Sequence, residues 1–137
     1  MQARTVARPV HIDVAKLVGC TLTDISVRTF RTDFLFSEVL SIIVRINKKF
    51  KFALVKDDDL SFDPALMPHD TSIESAKFVF LQGLRCLHAI ISSTKFEVAF
   101  EGDARLWVEY SDSDFEPLHL IGASGERHEK LDFYHVL

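Results

Sequence analysis

Phe34-Leu35-Phe36-Ser37-Glu38-Val39-Leu40-Ser41-Ile42-Ile43-Val44-Arg45-Ile46-Asn47-Lys48-Lys49-Phe50-Lys51-Phe52-Ala53-Leu54 is the stretch on which the fold turns. Apolar residues return at every second position: Phe34 and Phe36, then Ile42, Val44 and Ile46, then Phe50, Phe52 and Leu54. That is the period of strands with one buried face. The short polar joint Asn47-Lys48-Lys49 predicts a hairpin between strands near 39–46 and 49–56. Lys48, Lys49, Lys51 and Lys56 would then face water, opposite the phenylalanines.

Upstream, Leu22, Ile25 and Val27 begin the alternation, and Ile12, Ala15, Lys16 and Val18 read as a short helix with Gly19 as its left-handed stop. Residues 1–10 are polar and suit an arm or an edge strand. Downstream, Lys56 to Asp70 carries Asp57-Asp58-Asp59, Asp63-Pro64 and Pro68, the composition of a surface loop. Thr71-Ser72-Ile73-Glu74 fits a capping box, in which hydroxyl and carboxylate satisfy free backbone amides, so a helix is predicted from Ser72 to Gln82 with Gly83 as its stop.

The remainder returns to strands. Cys86 to Ser92 reads as a buried strand, Phe96, Val98 and Phe100 alternate with charges, and Gly102-Asp103 turns into Leu106, Val108 and Tyr110. A strand from Leu118 to Ile121 precedes Gly122-Ala123-Ser124-Gly125, read as a turn, and the C-terminal Leu131, Phe133, Tyr134, Val136 and Leu137 are too apolar for a free tail. The expected class is α+β, mainly antiparallel sheet, with about eight strands and two short helices.

The order helix, glycine, strand, strand, strand occurs twice. Leu17-Val18-Gly19 leading to Thr32-Asp33-Phe34 resembles Leu81-Gln82-Gly83 leading to Thr94-Lys95-Phe96. Two pseudo-repeated halves, residues 11–56 and 72–137, separated by an acidic loop at 57–71, are expected within a single domain, 1–137.

Composition narrows the function. The chain of 137 residues is 47% hydrophobic and 26% charged, which suits one globular core. Its twelve phenylalanines favour a sheet-based interior. A net charge of -4 is the wrong sign for a protein that grips phosphate backbones, so no nucleic-acid partner is expected. The N-terminal segment lacks an apolar secretory core, and no run reaches the roughly 20 apolar residues of a membrane helix. A cytoplasmic protein is expected.

Catalytic patterns are sparse. Cys20 and Cys86 lie in apolar sequence rather than in a metal-binding or redox spacing, and read as reduced, buried residues. None of the histidines, His11, His69, His88, His119, His128 and His135, pairs with another ligand or nucleophile at a functional spacing. His88, in an apolar strand, reads as a core or interface histidine. Gly122-Ala123-Ser124-Gly125 lacks the lysine of a phosphate loop, and Ser124 lacks a nucleophile elbow. A non-enzymatic protein without a cofactor or metal is expected.

Two acidic clusters stand out: Asp57, Asp58, Asp59 and Asp63, then Asp112, Asp114 and Glu116 around Phe115. Neither fits an EF-hand loop. Clustered carboxylates either solvate a loop or meet a basic partner surface, and Phe115, Trp107, Tyr110 and Tyr134 are candidate aromatic anchors beside them.

Asp114-Phe115-Glu116-Pro117-Leu118-His119-Leu120-Ile121-Gly122-Ala123-Ser124-Gly125 resembles the closing motif of a family of small uncharacterised bacterial domains, in which an aromatic-Glu pair leads through an apolar strand to Gly-x-x-Gly. The preceding meander from Lys95 to Tyr110 is similar in order. Leu118 stands where the family tends to have Trp, a departure. The resemblance implies a non-enzymatic bacterial protein, since such small acidic domains are often encoded beside polymorphic toxins as their immunity proteins.

The first expectation is therefore an immunity-type inhibitor that covers the active cleft of a basic toxin domain, such as a nuclease, with Asp57, Asp58, Asp59, Asp63, Asp112, Asp114, Phe115 and Glu116. A small-ligand or enzymatic site between the two halves, Phe-lined with His88 or His119 as its polar group, is the second. A homodimer pairing through an exposed strand edge is the third.

Overall fold

The alternation in Phe34–Leu54 extends to both sides of it. In this computed structural model, which describes residues 14–38, 41–66, 76–124 and 130–137, it produces ten strands. They are β1 (Thr21–Arg28), β2 (Arg31–Ser37), β3 (Ser41–Ile46), β4 (Phe50–Ala53), β5 (Leu60–Phe62), β6 (Cys86–Ile91), β7 (Lys95–Phe100), β8 (Arg105–Glu109), β9 (Leu118–Ser124) and β10 (Lys130–Val136). Antiparallel pairing gives two five-stranded sheets, ordered β1-β2-β3-β9-β10 and β5-β4-β8-β7-β6.

The two-residue period places Phe34 and Phe36, Ile42, Val44 and Ile46, and Leu118 and Leu120 on the buried side of the first sheet. Phe50 and Phe52, Phe96, Val98 and Phe100, and Leu106 and Val108 do the same for the second. These rows form one core. Phe34 meets Phe50 edge-on with ring centroids 5.3 Å apart, and Phe36 stacks on Phe100 at 6.0 Å. Phe78 reaches in from a 3-10 turn to touch Phe34, Phe50, Phe52 and Phe62. Each ring contributes roughly 1.5–3 kcal/mol by burial.

The same order of elements runs twice: a 3-10 turn (Val14–Leu17, then Lys77–Leu81), a glycine, and five strands. In each run the last two strands leave their own sheet, β4 and β5 joining β6–β8 while β9 and β10 join β1–β3. The seam between β1 and β6 repeats bond for bond. The Gly19 amide donates to the Cys86 carbonyl at 2.8 Å and the Gly83 amide to the Leu22 carbonyl at 2.7 Å. Likewise Leu22 donates to Leu84, and Cys86 to Cys20. One constant offset relates Gly19 to Gly83 and Leu22 to Cys86, and a β-bulge follows each of the latter. The same offset puts Val98, not Phe96, in the place of Phe34, so the likeness of Thr32-Asp33-Phe34 to Thr94-Lys95-Phe96 is out of step with the structure.

Several expectations need correction. The helical part of the α+β class reduces, among the described residues, to single 3-10 turns. Val14 and Leu17, like Phe78 and Leu81, are buried three residues apart, the eclipsing period of a 3-10 turn. Ile12 and the capping box Thr71-Ser72-Ile73-Glu74 lie outside the described residues.

The hairpin across Asn47-Lys48-Lys49 does not form. β3 pairs with β2 and β9, whereas β4 pairs with β5 and β8, so the joint carries the chain from one sheet to the other. It lacks the glycine of a two-residue hairpin turn. Instead the Asn47 amide donates to the Pro117 carbonyl at 3.0 Å, and Asn47 Nδ2 to the Glu116 carbonyl at 2.8 Å. Lys48 is half-buried there against Asp114 rather than facing water.

The acidic segment 57–71 is more than a loop. Leu60–Phe62 is strand β5, Phe62 is buried, and Pro64–Leu66 is a 3-10 turn, so the first run of strands extends beyond residue 56. Cys86–Ile91 is an edge strand with Leu87 and Ile90 exposed, rather than a buried one, and His88 is exposed with it. Gly122, Ala123 and Ser124, expected in a turn, end strand β9. Gly122 is required there because a Cβ would overlap the Phe133 ring.

Candidate functional site

The outward positions of the first sheet carry polar residues, and strand register brings three of them into a row. Asp33 on β2 is the partner of Arg45 on β3, and Arg45 is the partner of His119 on β9. Arg45 Nε donates to Asp33 Oδ1 at 2.9 Å and its Nη2 to Oδ2 at 3.3 Å, a two-point grip. Arg31 Nη2 lies 3.5 Å from the same carboxylate.

His119 is 8% exposed. Its Nδ1 shares a 2.8 Å hydrogen bond with the Tyr134 hydroxyl, the donor depending on the tautomer. Its Nε2 lies 3.2 Å from Glu116 Oε1 but without hydrogen-bond alignment, so this buried nitrogen has no bonded partner. Arg31 Nε is likewise buried and unpartnered. Burial pushes the imidazole below its ordinary 6.5; Arg45 and Arg31 act in the same direction, and Glu116 opposes them.

Two loops wall this row. Phe30, in the turn between β1 and β2, has φ 66° and is 62% exposed. Phe115, in the loop between β8 and β9, is 87% exposed, and Glu116 beside it has φ 43°. Left-handed backbone is costly for such residues. With Thr29, Arg31, Arg45, Asn47 and His119 they line an open cleft of about 350 Å³.

The second acidic cluster borders this cleft. Asp114 Oδ2 accepts from the Ser111 amide at 2.9 Å and pairs with Lys48 Nζ at 2.9 Å, while Asp112 is exposed. Of the first cluster, Asp57, Asp58 and Asp59 follow the far end of β4, whereas Asp63 follows Phe62, the partner of Phe50 at the start of β4. Asp58 Oδ2 accepts from the Leu54 and Val55 amides at 3.1 Å each, and Asp63 Oδ1 from the Ala65 amide at 3.0 Å. Asp57 and Asp59 are exposed, Asp59 being 3.9 Å from Lys51. Asp112, Asp114, Phe115 and Glu116 share one loop, and Asp57, Asp58, Asp59 and Asp63 flank β5.

Of the other candidate anchors, Trp107 is buried beneath the Arg105 guanidinium, 4.5 Å from the ring centroid, and the buried Tyr110 donates its hydroxyl to the Ser92 carbonyl at 2.7 Å. Sequence reasoning picked out His119, Phe115 and Glu116 but not Phe30, Arg31, Asp33 or Arg45. Outward charges on alternating strands look like ordinary solvated positions, and only the β2–β3–β9 register brings them together.

Among the described residues no group of three or more His, Cys, Asp and Glu side chains is placed to hold a metal ion, and no helix is long and apolar enough to cross a membrane. No family model, no curated protein and no solved structure matches the chain.

Proposed function

We propose that the protein is a non-enzymatic binding protein, an immunity-type inhibitor that neutralises a cognate bacterial toxin in the cytoplasm by docking on it. The observation that carries this reading is Phe115, 87% exposed in a loop that is tied down on both sides of it. Lys48 holds Asp114, and Asn47 holds the carbonyls of Glu116 and Pro117. An aromatic side chain displayed on a fixed loop contributes contact area without a large ordering cost on binding. Asp112 and Glu116 beside it supply charge for approach to a basic surface such as a nuclease cleft. Asp57 and Asp59, past the far end of β4, add to the field that steers approach.

Co-expression with each product of the genes flanking its own tests this. One product is expected to be toxic alone and harmless beside this chain, through an interface of roughly 1,200–2,000 Å². Phe115→Ala should abolish protection without lowering thermal stability. Toxicity that persists beside the intact chain, or full protection by the variant, contradicts the reading.

A second reading, self-association through β6, has one observation in its favour. That edge strand exposes Leu87 and Ile90 and has no Asp, Glu, Lys or Arg between Cys86 and Ile91, whereas the edge strand β1 carries Asp24 and Arg28. Sedimentation of the purified chain as a monomer at high concentration rejects it.

A further inference from the structure

The pseudo-repeat supplies an internal control for the cleft around His119. Across the second sheet the row that matches Asp33, Arg45 and His119 is Glu97, Trp107 and Lys51, joined by the same antiparallel pairings. There the Trp107 ring, with Arg105 over it, fills the outer face, and Glu97 is matched by Lys95 at 2.8 Å and Arg105 at 3.8 Å. A cleft of about 400 Å³ stands at this place too, lined by Lys48, Lys49, Phe50, Lys51 and Glu109. The first sheet's cleft differs in its floor, which holds two buried nitrogens without bonded partners, Arg31 Nε and His119 Nε2.

An unsatisfied buried donor costs on the order of 1–3 kcal/mol. With the Tyr134 hydroxyl donating to His119 Nδ1, the neutral imidazole carries its proton on Nε2, and two such donors at the floor of one accessible cleft call for an acceptor from outside the chain. The chain's own carboxylate already leans toward the place, with Glu116 Oε1 3.2 Å from His119 Nε2, though that side chain is 46% exposed and misaligned. Asp33 is shared by Arg45, in its two-point grip, and Arg31 at 3.5 Å, so once Glu116 turns to solvent the two guanidiniums carry one charge more than their carboxylate, which favours an anion. Phe30 and Phe115, the walls, offer exposed ring faces at the mouth.

We propose that this cleft binds a small organic anion, a carboxylate or phosphate monoester carried on a planar ring, whose oxygens take the unused donors of Arg31 and His119 while its ring packs on Phe30 and Phe115. The site stands independently of the docking reading. A flat ring suits the walls because aromatic pairs gain from offset or edge contact beyond simple burial. Glu116 competes with the ligand for His119.

Titration of the intact chain with phenyl phosphate, benzoate and inorganic phosphate, followed by calorimetry and by the His119 ring resonances, tests this. At least one ring-bearing anion is expected to saturate and to bind tenfold or more tightly than inorganic phosphate. Benzoate against phenyl phosphate tells a carboxylate from a phosphate source. Arg31→Gln should weaken binding at least tenfold, and Glu116→Gln should strengthen it. Phe115→Ala, at an exposed position where folding is not at stake, should erase the advantage of the ring. Equal binding of all three anions, unchanged affinity in Arg31→Gln, or no movement of the His119 signals overturns the proposal. Arg31→Gln that loses the anion but still protects against a toxin leaves the docking reading standing; loss of protection in Phe115→Ala with anion binding absent throughout leaves only that reading.

Discussion

The amide of Gly83 donates a 2.7 Å hydrogen bond to the carbonyl of Leu22 and so ties the start of the second run of strands to the first strand of the other. Its counterpart joins Gly19 to Cys86, and both glycines have left-handed backbone, φ 94° and 90°. A Cβ at Gly83 would meet nothing within 4 Å, so any penalty for a side chain there comes from the backbone alone. Gly83→Ala is expected to cost about 1–2 kcal/mol in chemical denaturation, with native spectra retained. A change within error would show that the seam readily adopts another conformation.

The acidic clusters differ in what they hold. Asp58 caps two backbone amides, so Asp58→Ala should cost about 1 kcal/mol, whereas Asp57→Asn with Asp59→Asn should leave the unfolding midpoint unchanged. For association with the proposed partner, Asp112→Asn with Glu116→Gln should slow the on-rate more than the Asp57 and Asp59 pair does, and should flatten its salt dependence. Stopped-flow association over a range of ionic strength checks this; equal effects of the two pairs would remove the distinction drawn between the loops.

The two thiols should be inert in the folded state. Cys20 and Cys86 are both buried, and burial pushes the Cys86 thiol up to about 11, so little thiolate exists near neutrality. A thiol-specific reagent is expected to label neither residue until denaturant is added. Rapid labelling of either in the native protein would show that the β1–β6 seam opens readily, since the Cys86 amide is bonded to the Cys20 carbonyl across it.

His119 links stability to pH. Its folded-state imidazole titrates below the ordinary 6.5 because it is buried, so the unfolded chain takes up a proton that the folded chain resists. This contribution to stability is fully present above 6.5 and is lost as pH falls from there through the lower folded value. His119→Gln should flatten that part of the stability profile while leaving the alkaline side unchanged. An identical profile in the variant would assign the acid sensitivity to other groups.

Much of the fold was legible from Phe34 to Leu54 and its neighbours, because a side-chain period of two with one apolar face leaves a strand only one way to bury itself. Gly19 and Gly83 marked the two turns, and Phe115 stood out as a candidate anchor because it sits among carboxylates. Which strand pairs with which was not. Asn47-Lys48-Lys49 is as short and polar as a hairpin turn, and only the bonds of Asn47 to Glu116 and Pro117 and of Lys48 to Asp114, far away in sequence, turn it into a crossing between sheets. The cleft depended on the same long-range decision. Arg45 and His119 are polar residues at outward positions of separate strands, and they share a site because β3 pairs with β9 rather than with β4. Local periodicity determines which side of a strand is buried; the partner across its edge is set by how two exchanged halves complete one core, which is a property of the whole chain.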